Sequence, residues 1–213
     1  MTEILLIRHG ETLWNQQGRM QGQHDSPLTP LGLQQARQLA RRLSKVAFSA
    51  LYSSDLGRAH QTARCIADLT GHELIADEGL RERHFGIFEG LTNTEMKLKH
   101  ADLYELFAKR LPDFAMPGGE SAAQFMRRCV GTLEKIAAQH TEETIVVVTH
   151  GLVLDAVYRT AVKMPIEIPR GFPLLNCSVN TFRYDGNAWT AVAVCDVSHL
   201  SDDDVTRFSD ASV

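Results

Sequence analysis

The strongest constraint on the fold is an apolar run, 4–7, that ends directly in Arg8-His9-Gly10. Four large aliphatic residues in succession are typical of a strand that is buried on both faces of a sheet. A second run, 145–148, repeats the pattern and leads into Thr149-His150-Gly151. Ligands of open α/β sheets bind at the carboxyl ends of the strands. We therefore expect the two histidines to lie at one edge of a sheet, within a ligand site.

Strand and helix patterns alternate along the 213 residues, which predicts a single α/β domain covering 1–213. We expect a mixed, mostly parallel sheet with helices on both faces and an antiparallel edge. The predicted strands are 3–8, 50–53, 74–76 and 144–149, with a hairpin of 177–184 and 189–197. The predicted helices are about 30–44, 54–70, 121–140 and 152–162, with Ser54 or Asp55 as the cap of the second.

Three segments fall outside this alternation. Residues 11–27 are polar and are predicted to form a long ordered loop. Residues 91–119 contain helical pieces near 94–99 and 102–111 and end in prolines and glycines, so we interpret them as an insertion that covers the active site. The acidic tail after Leu200 is expected to be loose.

Charge and cysteine usage limit the partners and the compartment. A net charge of −4 argues against general nucleic-acid binding. The cysteines are far apart and form neither a C-x-x-C motif nor a close Cys/His cluster, so a zinc site is not expected. We expect no metal and no other cofactor. Their usage fits a reducing cytoplasm. The start of the chain has the pattern of neither a signal peptide nor a membrane span.

Two further side chains complete a plausible reaction site. Arg58 is predicted in the first turn of a helix that follows a strand, and Glu82 lies in a loop of mixed apolar and charged residues. Arg8 and Arg58 offer forked donors that match phosphate oxygens. Helix amino termini add backbone donors, and a glycine such as Gly151 lets the backbone approach a ligand closely. This combination indicates phosphoryl transfer without a metal.

A mechanism follows from the charges. An imidazole must be neutral to attack phosphorus, and the two arginine charges keep His9 neutral. A carboxyl group that faces a phosphate dianion favours its protonated form, so Glu82 suits the role of general acid. Once ionised, Glu82 can activate water in a second step. Glu89 and Glu120 also lie in candidate loops and are the alternatives to Glu82.

The chain resembles the histidine phosphatase superfamily, which includes the cofactor-dependent phosphoglycerate mutases. The resemblance covers nearly the whole chain and rests on the segments 6–12 with 14–15, 21–22 with 25–29 and Gly32, 53–59 with 62–63, the Glu82 loop, 119–121 and 149–151. It implies a phosphohistidine nucleophile, a phosphate pocket, further phosphate or substrate contacts and a proton donor. The nucleophile would be His9 and the proton donor Glu82. The phosphate pocket would consist of Arg8, Arg58 and His150. The further contacts would come from Asn15 and Gln21, with Gly22 and Gly151 beside them.

The branch of the family is predicted from the segment 91–119. The resemblance implies that the mutases of this family have a longer insertion containing two consecutive arginines. Lys109-Arg110 is the nearest equivalent in this chain and matches that pair poorly. We therefore favour a phosphatase that acts on a small phosphorylated metabolite. A mutase, a binding protein without turnover and a metal-dependent hydrolase remain alternatives. The apolar segment 190–194, if it forms a sheet edge, would permit a homodimer.

Overall fold

A computed structural model describes residues 1–205, in which six strands form one sheet. The strands are β1 (Thr2–Arg8), β2 (Ala50–Ser53), β3 (Leu74–Ala76), β4 (Thr144–Thr149), β5 (Val179–Tyr184) and β6 (Trp189–Asp196). The helices of the described residues are α1 (Leu13–Gln16), α2 (Pro30–Leu43), α3 (Gly57–Thr70), α4 (Asn93–Lys99), α5 (Ala101–Ala108), α6 (Ala122–Ala138) and α7 (Gly151–Val162). Short 3-10 turns occupy Glu78–Leu80, Gly86–Phe88 and Asp202–Asp204.

The strand order β3-β2-β4-β1-β5-β6 places the two histidine-bearing strands side by side. β1, β2, β3 and β4 are parallel, whereas β5 runs antiparallel to both β1 and β6. In the register of the central pair, Ile7 lies opposite Val148 and Arg8 lies opposite Thr149. The residues that follow these two strands therefore leave the sheet at the same level, which confirms the predicted mixed α/β fold.

β1 is buried on both faces, as its apolar run predicts. Ile4 and Leu6 pack into one apolar cluster with residues of α6 and α7, and Leu5 and Ile7 pack into a second with residues of α2 and α3. Each fully buried aliphatic side chain contributes roughly 1.5–3 kcal/mol to folding. This two-sided packing fixes the strand whose end carries the site.

Two local expectations were wrong. The segment 11–27 is not loop throughout, because α1 interrupts it with a capping box: Asn15 N donates to Thr12 Oγ1, and Thr12 N donates to Asn15 Oδ1, each at 3.1 Å. The cap of α3 is Leu56, not Ser54 or Asp55, and it supplies no side-chain acceptor. Asp25 Oδ1, from a distant loop, accepts the Arg58 N–H instead at 3.2 Å. Sequence patterns show local caps but not such long-range ones.

The insertion and the tail are both packed against the domain. α4 and α5 contribute Met96 and Phe107 to a third apolar cluster that also contains Phe85 and Phe88. The first residues of the acidic tail are docked rather than loose, since Asp204 accepts hydrogen bonds from three glutamines of α2: Gln34, Gln35 and Gln38. The rest of that tail lies outside the described residues. Within residues 1–205, no helix combines the length and the apolar character needed to cross a bilayer.

Candidate active site

The two strand-end histidines lie together in the interior. His9 follows β1 and His150 follows β4, and their ring centroids are 5.4 Å apart with an interplanar angle of 60°. His9 N donates to Thr149 O at 3.0 Å, which extends the β1–β4 pairing into the site. Both imidazoles are buried. The parallel pairing thus brings together two residues that are 141 positions apart in the sequence.

The hydrogen bonds of His9 fix which ring nitrogen carries the proton. Nδ1 lies 2.7 Å from Gly10 O, and a carbonyl oxygen only accepts, so Nδ1 is the donor. Nε2 accepts from Arg58 Nε at 3.3 Å and therefore carries the lone pair. Burial, reinforced by the charges of Arg58 and Arg8, holds the pKa of His9 well below its ordinary value of 6.5. The ring is therefore neutral at physiological pH, with its lone pair on Nε2.

Arg58 connects the site to the loop that follows α1. Its Nη2 donates to Gly22 O at 2.7 Å, and its Nη1 donates to His24 O at 2.8 Å. Arg8 is equally buried, and its Nη1 donates to Leu174 O in the segment before β5. Both guanidiniums are thus held by backbone carbonyls, which orients them at fixed positions beside His9.

His150 is oriented by a serine that had not been predicted as a site residue. Its Nε2 lies 2.9 Å from Ser54 Oγ, and Ser54 Oγ also accepts from Leu56 N at 3.3 Å. The other ring nitrogen, Nδ1, is buried without a partner among the described residues. Burial, followed by the charge of Arg58, lowers the pKa of His150 well below 6.5. A neutral imidazole is therefore held with one nitrogen still to be satisfied.

Glu82 is the acidic residue that shares a cavity with His9. Its Oε1 accepts from Arg83 N at 2.8 Å, and its Oε2 accepts from Leu152 N in the first turn of α7 at 3.1 Å. The alternatives predicted from the sequence are not lining residues of this cavity. Glu89 accepts the N–H groups of Gln23, His24 and Phe85, and Glu120 pairs with Arg128 at 2.7 Å.

The cavity brings most of the predicted residues together. Six of them line it: Arg8, His9, Gln21, Gly22, Arg58 and Glu82. Three others are not among its lining residues. The ring centroid of His150 is 5.4 Å from that of His9, Gly151 begins α7, and Asn15 Oδ1 is engaged in the α1 capping box. A substrate-contact role for Asn15 and Gly151 therefore stays a prediction.

Six lining residues had not been predicted as site residues: Arg19, Met20, Phe85, Leu152, Arg170 and Leu174. Arg170 lies in an irregular segment between α7 and β5, where no periodic pattern or motif marks it. Arg19 is paired with Glu95 at 2.8 Å. In the part of the chain that the structure describes, no cluster of three or more His, Cys, Asp or Glu side chains has metal-binding geometry.

This arrangement can hold an anion beside the lone pair of a neutral imidazole. Four guanidiniums line one cavity with a single carboxylate, and fixed donors of this kind stabilise charge that develops on phosphoryl oxygens. The lone pair of His9 Nε2 lies within this set of donors. A phosphoryl group bound by the arginines would be placed next to that lone pair.

Comparisons with known proteins agree with this site. The histidine phosphatase superfamily (branch 1) matches residues 4–197. Two relatives from Arabidopsis thaliana each align over 94% of this chain. Phosphoglycerate mutase-like protein 4 is 42% identical, and the alignment covers 87% of its length. A metal-independent phosphoserine phosphatase is 43% identical, and the alignment covers 84% of its length. The structure of Bacillus stearothermophilus YhfR superposes with a TM-score of 0.87 and 34% identity, over 93% of this chain and 99% of that one.

The match extends through β1, β4 and β5, the strands that carry or border the site. The resemblance predicted from the motifs is thereby confirmed, and so is the expectation of a phosphoric monoester hydrolase, although a mutase is also consistent with the family. The chain belongs to the histidine phosphatase superfamily, branch 1.

Proposed function

We propose that this protein hydrolyses small phosphomonoesters through a phosphohistidine intermediate on His9. The observation that carries the proposal is the tautomer of His9: its Nε2 lone pair faces Arg58 Nε at 3.3 Å, in the cavity that Glu82 also lines. Arg8, Arg58 and His150 bind the phosphoryl oxygens, and Asn15, Gln21, Gly22 and Gly151 contribute further contacts. The segment 91–119 covers the site.

In the first step, Nε2 of His9 forms a bond to phosphorus while the bond between phosphorus and the ester oxygen breaks. The leaving oxygen takes a proton from the carboxyl group of Glu82. In the second step, water attacks the phosphohistidine, Glu82 accepts the proton of that water, and the bond between nitrogen and phosphorus breaks to release inorganic phosphate. The fixed guanidiniums stabilise the charge on the phosphoryl oxygens in both steps.

His150 acts as a donor to the phosphoryl group when Ser54 donates to its Nε2. In that tautomer Nδ1 carries the proton, and this buried nitrogen is the one without a partner among the described residues. A phosphoryl oxygen would satisfy it.

Phosphoserine is the first substrate to test, because a relative 43% identical to this chain is named a metal-independent phosphoserine phosphatase. The assay follows inorganic phosphate release from a panel of phosphomonoesters by the wild type and by His9→Ala. Release that is lost in His9→Ala supports the proposal. Release that persists in the variant would contradict it, and activity that is lost on chelation with EDTA would point to a metal-dependent hydrolase.

A mutase is the second candidate, because another relative is named phosphoglycerate mutase-like. 3-Phosphoglycerate therefore belongs in the panel, with 2-phosphoglycerate measured as a product. Isomer formation without phosphate release would identify a mutase. Ligand binding with neither product and no phosphoenzyme would identify a binding protein.

A further inference from the structure

A second cavity lies beside the His9 cavity and shares Leu152 as a wall. It has about 580 Å³ of empty space, counting its open mouth. α5, α6 and α7 supply most of its surface. Its apolar side includes three aromatic side chains, Phe107, Phe114 and Phe125. An apolar wall with a few polar groups is the usual character of a small-molecule site.

The polar side of this cavity carries an excess of positive charge. Arg83, Arg110 and Arg159 line it together with one carboxylate, Asp155. Burial lowers the pKa of Arg83 to about 10 and also lowers the pKa of Arg110, so the charged forms are penalised by their surroundings. A bound anion would offset that penalty.

Two buried polar atoms of the lining have no partner within residues 1–205. Arg159 donates through Nε to Asp155 Oδ2 at 2.8 Å and through Nη1 to Ile168 O at 2.8 Å, yet its Nη2 has no acceptor among the described residues. Asp155 Oδ1 likewise has no donor there. Both side chains are more than nine-tenths buried. Leaving such buried groups unsatisfied destabilises the fold, and a ligand with one acceptor and one donor would satisfy both.

We propose that this cavity is a binding site for a small apolar 2-hydroxy carboxylate, distinct from the phosphoryl pocket. The ligand carboxylate accepts from Arg159 Nη2 and from Arg110, its hydroxyl group donates to Asp155 Oδ1, and its apolar body packs against the aromatic wall. Three guanidiniums against one carboxylate leave the lining with a net positive charge, which favours a net anion such as a 2-hydroxy carboxylate over a zwitterionic amino acid.

The position of the site couples it to Glu82. The two backbone N–H groups that hold Glu82 belong to Arg83 and Leu152, and the side chains of both residues line the second cavity. A ligand seated there contacts the two residues that position the proposed proton donor. This coupling rests on the proposed function, whereas binding itself does not.

The test is calorimetric titration of 3-phenyllactate into the full chain. We expect saturable one-site binding, weakened by about tenfold or more for methyl 3-phenyllactate, which lacks the charge, and for 3-phenylpropionate, which lacks the hydroxyl group. Arg110→Gln should weaken binding by a similar factor, and Ala122→Phe, which fills the cavity from the first residue of α6, should abolish it. Lys109→Gln, beside Arg110 but outside the cavity, is the matched control and should leave the affinity unchanged.

Absence of saturable binding, or equal affinities in the wild type, Arg110→Gln and Ala122→Phe, would overturn the proposal. Displacement of 3-phenyllactate by inorganic phosphate would also overturn it, since the probe would then occupy the phosphoryl pocket. The coupling is tested by measuring kcat for p-nitrophenyl phosphate with and without saturating 3-phenyllactate. We expect 3-phenyllactate to change kcat in the wild type and to leave it unchanged in Ala122→Phe. An unchanged kcat would refute the coupling alone. An inactive protein that still binds the probe would refute the proposed function and leave this site standing.

Discussion

Arg58 Nε donates to His9 Nε2 at 3.3 Å, so a buried cation rests against the lone pair of the proposed nucleophile. The contact has two physical effects. The charge of Arg58 is the second cause, after burial, of the lowered pKa of His9. The contact also places a forked donor beside the position that a phosphoryl oxygen would occupy. The same guanidinium therefore keeps the imidazole neutral and prepares the site for an anion.

Replacing Arg58 should be severe for catalysis. We expect Arg58→Ala to lose about 3–4 kcal/mol of transition-state stabilisation, the value typical of one preorganised donor. The measurement is kcat/KM for p-nitrophenyl phosphate, with Arg64→Ala on the exposed face of the same helix as the control. A loss below about tenfold would remove Arg58 from the phosphate pocket.

Ser54→Ala should impair catalysis through His150. The serine hydroxyl lies 2.9 Å from His150 Nε2, and its loss leaves a buried ring nitrogen unsatisfied, at a cost of about 1–3 kcal/mol. We expect a fall in kcat larger than any rise in KM, because the tautomer and not the shape of the cavity changes. Ser54→Thr, which keeps the hydroxyl group, should recover activity. Equal kcat in the wild type and Ser54→Ala would show that Ser54 does not set the state of His150.

Gly22 and Gly18 form a matched pair for backbone strain. Both have positive φ, +54° and +63° respectively, but a Cβ at Gly22 would lie 2.0 Å from Glu89 Oε1, whereas a Cβ at Gly18 would meet nothing within 4 Å. Glu89 cannot move without breaking its bonds to backbone N–H groups, including Phe85 N at 2.8 Å. Gly18→Ala should cost about 1–2 kcal/mol, and Gly22→Ala at least about 2 kcal/mol more.

Urea denaturation of the two glycine variants measures this difference in the free energy of unfolding. Gly22→Ala should also raise KM, because Gly22 O accepts from Arg58 Nη2 at 2.7 Å. Equal unfolding free energies in the two variants would show that the contact with Glu89 is easily relaxed.

Stability should fall on acidification because of the buried histidines. The folded-state pKa of His9 and of His150 is lowered well below 6.5. Below about pH 6.5 these two histidines therefore bind protons in the unfolded chain but not in the folded chain. Each histidine should reduce the free energy of unfolding by up to about 1.4 kcal/mol per pH unit, from about pH 6.5 down to its folded-state pKa.

Denaturation series between about pH 5 and about pH 7.5 test this linkage. His150→Asn should show a shallower loss of stability with acid than the wild type. Gln61→Ala, on the exposed face of α3, is the control and should keep the wild-type slope because it removes no ionisable group. A slope in His150→Asn identical to that of the wild type would contradict the linkage.

The sequence predicts the centre of the site well and its rim poorly, for a physical reason. Continuous apolar runs such as those of β1 and β4 are typical of buried parallel strands, so the neighbouring positions of His9 and His150 were predicted from the pattern. Arg170 lies in an irregular segment held by tertiary contacts, and no periodicity marks it. The cap that Asp25 provides for Arg58 N, at 3.2 Å, was missed because it joins two segments distant in sequence.

The insertion shows the same division between local pattern and tertiary contact. Its helices were predicted from their pattern, and α4 and α5 occur close to the expected positions. The second cavity that Phe107 and Arg110 help to line could not be predicted, because its other walls come from α6 and α7. Sequence patterns predict elements, whereas the cavities between elements depend on how those elements pack.

The central claim is that His9 is the nucleophile. Rapid mixing of the enzyme with p-nitrophenyl phosphate or phosphoserine, quenching in alkali and peptide mass spectrometry test it most directly. The account predicts one added phosphoryl group on the peptide that contains His9, formed and lost during turnover and absent from His9→Ala. A phosphoryl group on another residue, or full phosphate release by His9→Ala, would contradict it.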